Sequence, residues 1–170
     1  MIPMFLIDTN VFIDIFQSGF LHVLDNALFS VSSLVMFDEI RVMIPQIELG
    51  QLIFWSETSK NIEDAIAYSR VNKKISFYDA LNGYVASENR FILVTRDKKL
   101  INFARTLGVE CKTTVEFLRY MSSNRVITFE EHIKILETLL NQNPPRIAES
   151  LLNKEISDIK AVLDSSKIVA

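Results

Sequence analysis

The sequence predicts an α/β protein: a mostly parallel central sheet flanked by helices, followed by a helical C-terminal extension. Three observations predict it. Short apolar runs alternate with longer segments of helical periodicity, the signature of βαβ crossovers. Two of those runs, FLI and FILV, end on polar residues and an aspartate, as strands do when they open into helices. Beyond about Ser122 strand signals stop and only helical patterning remains.

Taken in order, the first strand is Phe5 to Ile7, stopped by Asp8. Asp8, Thr9 and Asn10 are cap-forming types, and a helix is expected from Val11 to Phe16. The second strand is Phe29 to Ser32, with Ser33 capping the helical stretch LVMFDEIRVM, which Pro45 breaks. Gln51 to Trp55 reads as a third strand. Ser56 or Ser59 then opens a helix that puts Ile62, Ala65, Ile66 and Ser69 on one face. After Lys73 and Lys74, Ser76 caps the helix of ISFYDALNGYVASENR, which carries Leu81 and Val85 on one side. Phe91 to Val94 is the most apolar strand and is closed by Thr95, Arg96 and Asp97. A helix over KKLINFARTLG ends at Gly108, and Val109 to Cys111 is a last short strand.

The extension begins with a capping box at Thr128 and Glu131, followed by Ile133, Leu136, Leu139 and Leu140 on a helix. The segment NQNPP separates it from a second helix starting near Pro145, with Ile147, Leu151, Ile156 and Ile159 apolar. The expected division is therefore residues 1–121 and an extension over 122–170.

Apolar residues make up 49% of the 170 residues and charged ones 23%, which excludes disordered and fibrous classes. Net charge is −3 and the sequence pI about 5.4, so no global positive field draws in nucleic acid and any such binding rests on a local patch. One cysteine, Cys111, excludes an internal disulfide and suits a reducing, cytoplasmic setting as a small core residue. MIPMFLID lacks a basic leader region and no run of about 20 apolar residues occurs, so neither a signal peptide nor a membrane span is expected. His22 and His132 lack the spacing of a ligand pair.

Four acidic positions stand beside strongly apolar residues, where charge is costly unless paired or bound to a cation: Asp8, Asp38 or Glu39, Asp79 and Asp97. Each has a structural role open to it as well: Asp8 as a cap, Asp79 as a complement to a helix dipole, Asp38 and Glu39 as solvated charges, Asp97 as a turn closer. Strand carboxyl ends are where sites form in parallel sheets, and Asp8 and Asp97 both stand at one. Converged carboxylates raise one another's pKa values, and a divalent cation removes that repulsion. All-oxygen ligation without His or Cys suits Mg²⁺ or Mn²⁺ and makes hydrolysis of a phosphodiester the natural chemistry. Asn10 and Thr95 are placed to orient the acids.

The set LIDTNVFID, SSLVMFDEI, SFYDAL and LVTRDKKL, in this order over about residues 4 to 112, resembles the PIN-domain nucleases, in particular VapC-type toxins and related stand-alone prokaryotic PIN proteins. The resemblance implies a PIN-like fold, a Mg²⁺ or Mn²⁺ site and cleavage of single-stranded RNA that leaves a 5′-phosphate and a 3′-hydroxyl. It carries over Asp8, Asp79 and Asp97 as metal ligands, with Asn10 and Thr95 as supporting residues. The family's helix acid matches Asp38 when counted from Ser32 and Glu39 when read from the following Ile40; Glu39 has the usual length, and both are kept. Glu48, beyond Pro45, is a poorer match. Lys98 and Lys99 stand where some members carry a further acid. With Arg96 they flank Asp97 and are candidates for phosphate binding. Toxin members pair with an antitoxin protein and many are dimers, so an antitoxin and a homodimer join RNA as expected partners. The helical extension departs from the minimal toxin.

Two rival readings are an Asp-phosphoacceptor domain and a PIN-fold binding module without turnover. The first wants adjacent acids after the first strand, where LIDTNV supplies one acid and Asn10. The second would show a lost carboxylate, and none of the four positions is lost.

Overall fold

A computed structural model describes residues 4–24, 29–44, 53–142 and 146–167. Strands β1 (Phe5–Ile7), β2 (Phe29–Ser32), β3 (Ile53–Trp55), β4 (Ile92–Val94) and β5 (Cys111–Lys112) form one five-stranded sheet in the order β3-β2-β1-β4-β5. Every neighbouring pair is parallel, with Phe5 opposite both Phe29 and Ile92. The α/β class and parallel sheet expected from the alternating pattern are thus the observed ones. β1 and β2 are buried along their whole length, as parallel strands are. The chain lays strands outward from β1 through β2 to β3, then returns to the other side of β1 to form β4. That reversal is a topological switch point, and the crevice outside the carboxyl ends of β1 and β4 follows from it.

The helices are α1 (Thr9–Gln17), α2 (Ser33–Val35), α3 (Arg41–Met43), α4 (Ser59–Val71), α5 (Phe77–Asn89), α6 (Lys98–Thr106), α7 (Thr114–Ser123), α8 (Phe129–Leu140) and α9 (Glu149–Lys167). A π-helical turn, Met36–Ile40, joins α2 to α3. Several sequence expectations shift. α1 begins at Thr9, two residues before the expected start. Ser32, not Ser33, caps α2. Thr58, not Ser56 or Ser59, caps α4, because Asn61 completes a capping box with it. The last strand is Cys111–Lys112, one residue beyond Val109 to Cys111 at its end, where a short edge strand is defined by its pairing to β4 more than by its composition. Ser76 caps α5 and Thr128 caps α8 with a capping box, as expected, and Asp79 completes a box at Ser76 as well. α9 starts at Glu149, and it buries Leu152, Ile156 and Ile159 while Leu151 stays exposed. Pro45, Glu48, Gln51 and Leu52, and Asn143 to Pro145, lie outside the described residues.

The chain forms two compact units, Met1–Ile13 with Leu24–Thr114 and Asp14–Val23 with Val115–Ala170. The expected boundary at 121–122 falls inside α7.

The first unit packs Leu6 and Leu93 of the sheet with Ala65 of α4, Leu81 and Val85 of α5, and Leu100, Phe103 and Ala104 of α6. Gly83 permits the closest of these approaches: a Cβ there would lie 2.6 Å from Phe103 Cε1. Gly83→Ala is expected to cost about 2 kcal/mol, because the ring must leave its place between α5 and α6. A urea melt checks this, and an unchanged midpoint would show that Phe103 yields freely.

The second unit ties its short segment to α8 and to the residues between α8 and α9 by polar contacts. Gln142 donates to Gln17 at 3.2 Å, Arg146 lies 3.8 Å from Asp14, and His22 lies 3.8 Å from Glu131. On α7, Arg119 Nε donates to Glu155 Oε1 of α9 at 2.9 Å while its Nη2 donates to Oε2, a bidentate pair. His132 of α8 is fully buried, with Nδ1 2.9 Å from Ser122 Oγ, and burial pulls its pKa down to about 4. His132 is therefore a neutral core residue.

Candidate functional site

β1 ends at Ile7, and the next residue, Asp8, extends the sheet by one bond, its N–H donating to Val94 O at 3.0 Å. This fixes the Asp8 carboxyl at the switch-point crevice beside the end of β4. Thr95, the first residue after β4, donates from Oγ1 to Asp8 Oδ2 at 2.7 Å. Asn10, in the first turn of α1, donates from Nδ2 to the same oxygen at 2.6 Å. Asn82 of α5 donates from Nδ2 to Asp8 Oδ1 at 3.2 Å. Three elements thus converge on one buried carboxyl.

Burial pushes the Asp8 pKa up to about 7 against the Thr95 hydrogen bond, which lowers it; the nearby charges of Asp79 and Glu39 raise it further. Glu39 is raised chiefly by burial, opposed by the hydrogen bond from Thr9, with Asp79 and Asp38 adding repulsion. Thr9 Oγ1 donates to Glu39 Oε2 at 2.5 Å. Asp8, Glu39 and Asp79 are therefore an electrostatically coupled acidic group.

The structure separates the two helix acids. Glu39 meets Thr9 and acts on Asp8, whereas Asp38 accepts from Tyr78 Oη at 3.1 Å and is not among the charges acting on Asp8. The π-helical turn widens the helix at these residues, and such turns recur at functional sites. The start of α2, just before that turn, is pinned by Glu57, which accepts from Ser32 Oγ, from Ser33 Oγ at 2.6 Å and from Leu34 N at 2.9 Å.

Asp79 belongs to the capping box of α5, its Oδ2 accepting from Ser76 N at 3.2 Å. Asp97 is the N-cap of α6: its Oδ1 accepts from Lys99 N at 2.6 Å and Leu100 N at 3.3 Å. Its own N–H donates to Thr95 Oγ1 at 3.1 Å, which links it to the residue that holds Asp8. Arg96 is half-buried, with its N–H 3.5 Å from Asn10 Oδ1, while Lys98 and Lys99 are exposed on the first turn of α6.

Among the described residues no three His, Cys, Asp or Glu side chains are gathered so as to hold a metal ion as they stand. The donor set itself is all oxygen, of the hardness that Mg²⁺ and Mn²⁺ take. Asp8, whose ionised form is disfavoured first by burial and then by two neighbouring acids, is the carboxyl that gains most from a cation.

Three residues here escaped sequence reasoning. Asn82 is fully buried and its Oδ1 has no hydrogen-bond partner among the described residues. Its position three residues after Asp79, on the same helix face, was the available signal. Tyr78 and Glu57 had none beyond adjacency to Asp79 and to the end of β3.

Compared with protein-family models, with curated proteins and with solved structures, the chain gives no match. Among the described residues no helix is long and apolar enough to cross a membrane.

Proposed function

We propose that the chain is a metal-dependent endoribonuclease acting on single-stranded RNA, of the PIN type its motifs resemble. The observation that carries the proposal is Asp8, a buried carboxyl at the switch point of a parallel sheet, held by Asn10, Asn82 and Thr95 and faced by Glu39 and Asp79. Structural acids are seldom kept buried without a cationic partner, because the charge is too costly. We assign Mg²⁺ or Mn²⁺ to Asp8, Glu39 and Asp79; when bound, such an ion supplies a Lewis acid at the phosphate and a more acidic water. Thr95 and Asn10 keep Asp8 in one rotamer, and Thr9 does the same for Glu39. Asp97, a ligand candidate on sequence grounds, is here assigned to fixing the first turn of α6. Lys98 and Lys99 on that turn offer charge to the substrate backbone, with Arg96 beside them. A cytoplasmic location, an antitoxin partner and a homodimer rest on composition and motif resemblance.

A second reading, a binding module of the same fold without turnover, is favoured by the use of Asp97 Oδ1 as a helix cap. Cleavage of a labelled single-stranded RNA separates the two. Cutting in Mg²⁺ or Mn²⁺ that falls at least about 100-fold in EDTA is expected for the nuclease. RNA binding by folded protein with no cutting in either metal would establish the binding module instead.

A further inference from the structure

We propose that a cleft between the end of α4, the loop before α5 and the outer face of α6 is a subsite for one nucleotide of a single-stranded RNA. The cleft has a volume of about 290 Å³, at the small end of ligand-binding cavities. Its floor is apolar and aromatic: Ile75 and Phe103 are buried, and the Tyr68 ring lies over Phe103 with centroids 4.3 Å apart. Its rim carries the exposed Lys74, Lys99 and Asn102. Neither Lys74 nor Lys99 forms an ion pair among the described residues.

This combination is selective. An aromatic floor accepts the π-face of any base, two ammonium groups accept the flanking phosphates, and a side-chain amide can bond a base edge. A purely anionic ligand would have no use for the floor, and an apolar ligand none for the lysines. In a protein of net charge −3, two unpaired lysines facing one cavity form the kind of local patch that nucleic-acid binding requires.

The loop holding Lys74 is itself ordered. Asn72 Nδ2 donates to Tyr68 Oη at 2.9 Å, and Asn72 Oδ1 accepts from Lys74 N at 3.2 Å. One residue therefore positions both the aromatic floor and the basic rim. Lys74 stands two residues before Ser76, the cap of α5, and Lys99 two residues after Asp97, the cap of α6. The cleft thus adjoins the helix starts that carry Asp79 and Asp97, and a strand lying across the acidic group would reach it by chain continuity. The choice of RNA as ligand rests on the nuclease reading; the cleft chemistry does not.

The test is fluorescence anisotropy of a labelled single-stranded RNA of about 12 nucleotides with the full chain in EDTA, so that binding is read without cleavage. Lys74→Glu with Lys99→Glu is expected to weaken binding at least about tenfold and to lower the slope of log affinity against log salt by about two. Tyr68→Leu is expected to weaken binding about fivefold or more with the slope unchanged, since stacking and not charge is lost. Lys60→Glu, exposed on the first turn of α4 and outside the cleft lining, should change affinity by less than about threefold. Equal effects of Lys60→Glu and the double variant, or none from either, would overturn the subsite. So would a free mononucleotide that binds as tightly as the strand. If wild type cuts RNA and the cleft variants cut and bind like it, the subsite fails and the nuclease stands. If nothing is cut while the cleft variants bind weakly, the nuclease fails and the subsite stands.

Discussion

Asp8→Asn is expected to abolish RNA cleavage, by about a thousandfold or more, while making the metal-free protein more stable at pH 8 by about 3 kcal/mol. The sign follows from burial. The Asp8 pKa is raised from 3.8 to about 7, so its contribution to folding is fully present below pH 3.8 and is lost as pH rises through 7. At about 1.4 kcal/mol per pKa unit, ionising it in place costs about 4 kcal/mol by pH 8. Asparagine removes that cost and gives back about 1 kcal/mol, because one amide oxygen replaces two carboxylate oxygens that accept from Thr95, Asn10 and Asn82. Urea unfolding of both proteins in EDTA at pH 4 and pH 8 checks this. The gap should nearly vanish at pH 4, and Mg²⁺ should stabilise wild type at pH 8 while leaving the variant unmoved. A variant less stable than wild type at pH 8 would make Asp8 a structural residue and remove the main support for the metal assignment.

Arg119→Met should destabilise the unit built by α7 to α9 by about 3 kcal/mol. Its Glu155 partner is 4% exposed and loses both hydrogen bonds of the bidentate pair, leaving a buried carboxylate without compensation. The Arg119 side chain is 56% exposed, so solvent already screens part of the attraction, which sets the expectation at the lower end for a broken buried pair. Adding Glu155→Leu should recover most of the loss, since two apolar groups of similar size replace the pair. Thermal melts of the two single variants and the double variant decide it. Strictly additive losses would show that the pair has no coupling and that packing of the Arg119 stem carries the effect.

Much of this architecture is legible because its strands are short, apolar and closed by cap residues, which leaves little room for another reading of FLI or FILV. Asp8 stands out in the sequence for the same reason that it stands out in the structure: an acid directly after a buried strand is costly. The choice between Asp38 and Glu39 was not legible. Adjacent helical residues point about 100° apart, and counting at 3.6 residues per turn fails across a π-helical turn, whose phase differs. Asn82 escaped because a polar residue on a helix is ordinarily solvated, and nothing local says that its face is covered. Asp97 illustrates the opposite limit: the type that can serve as a ligand also caps helices, and its Oδ1 caps α6 here. Thr58 took the α4 cap from Ser56 and Ser59 because a capping box needs a partner three residues on, and Asn61 supplies it.

The division of the chain into interleaved segments bears on how the molecule is made. Residues Asp14–Val23 belong with Val115–Ala170, so this early segment leaves the ribosome about a hundred residues ahead of the helices that complete its unit. At elongation rates of about 5–20 residues per second, Ile15 and Val23, both buried in the finished chain, wait several seconds or more for those helices. During synthesis all five strands of the parallel sheet precede that partner, and the waiting segment is where a chaperone would find exposed apolar surface.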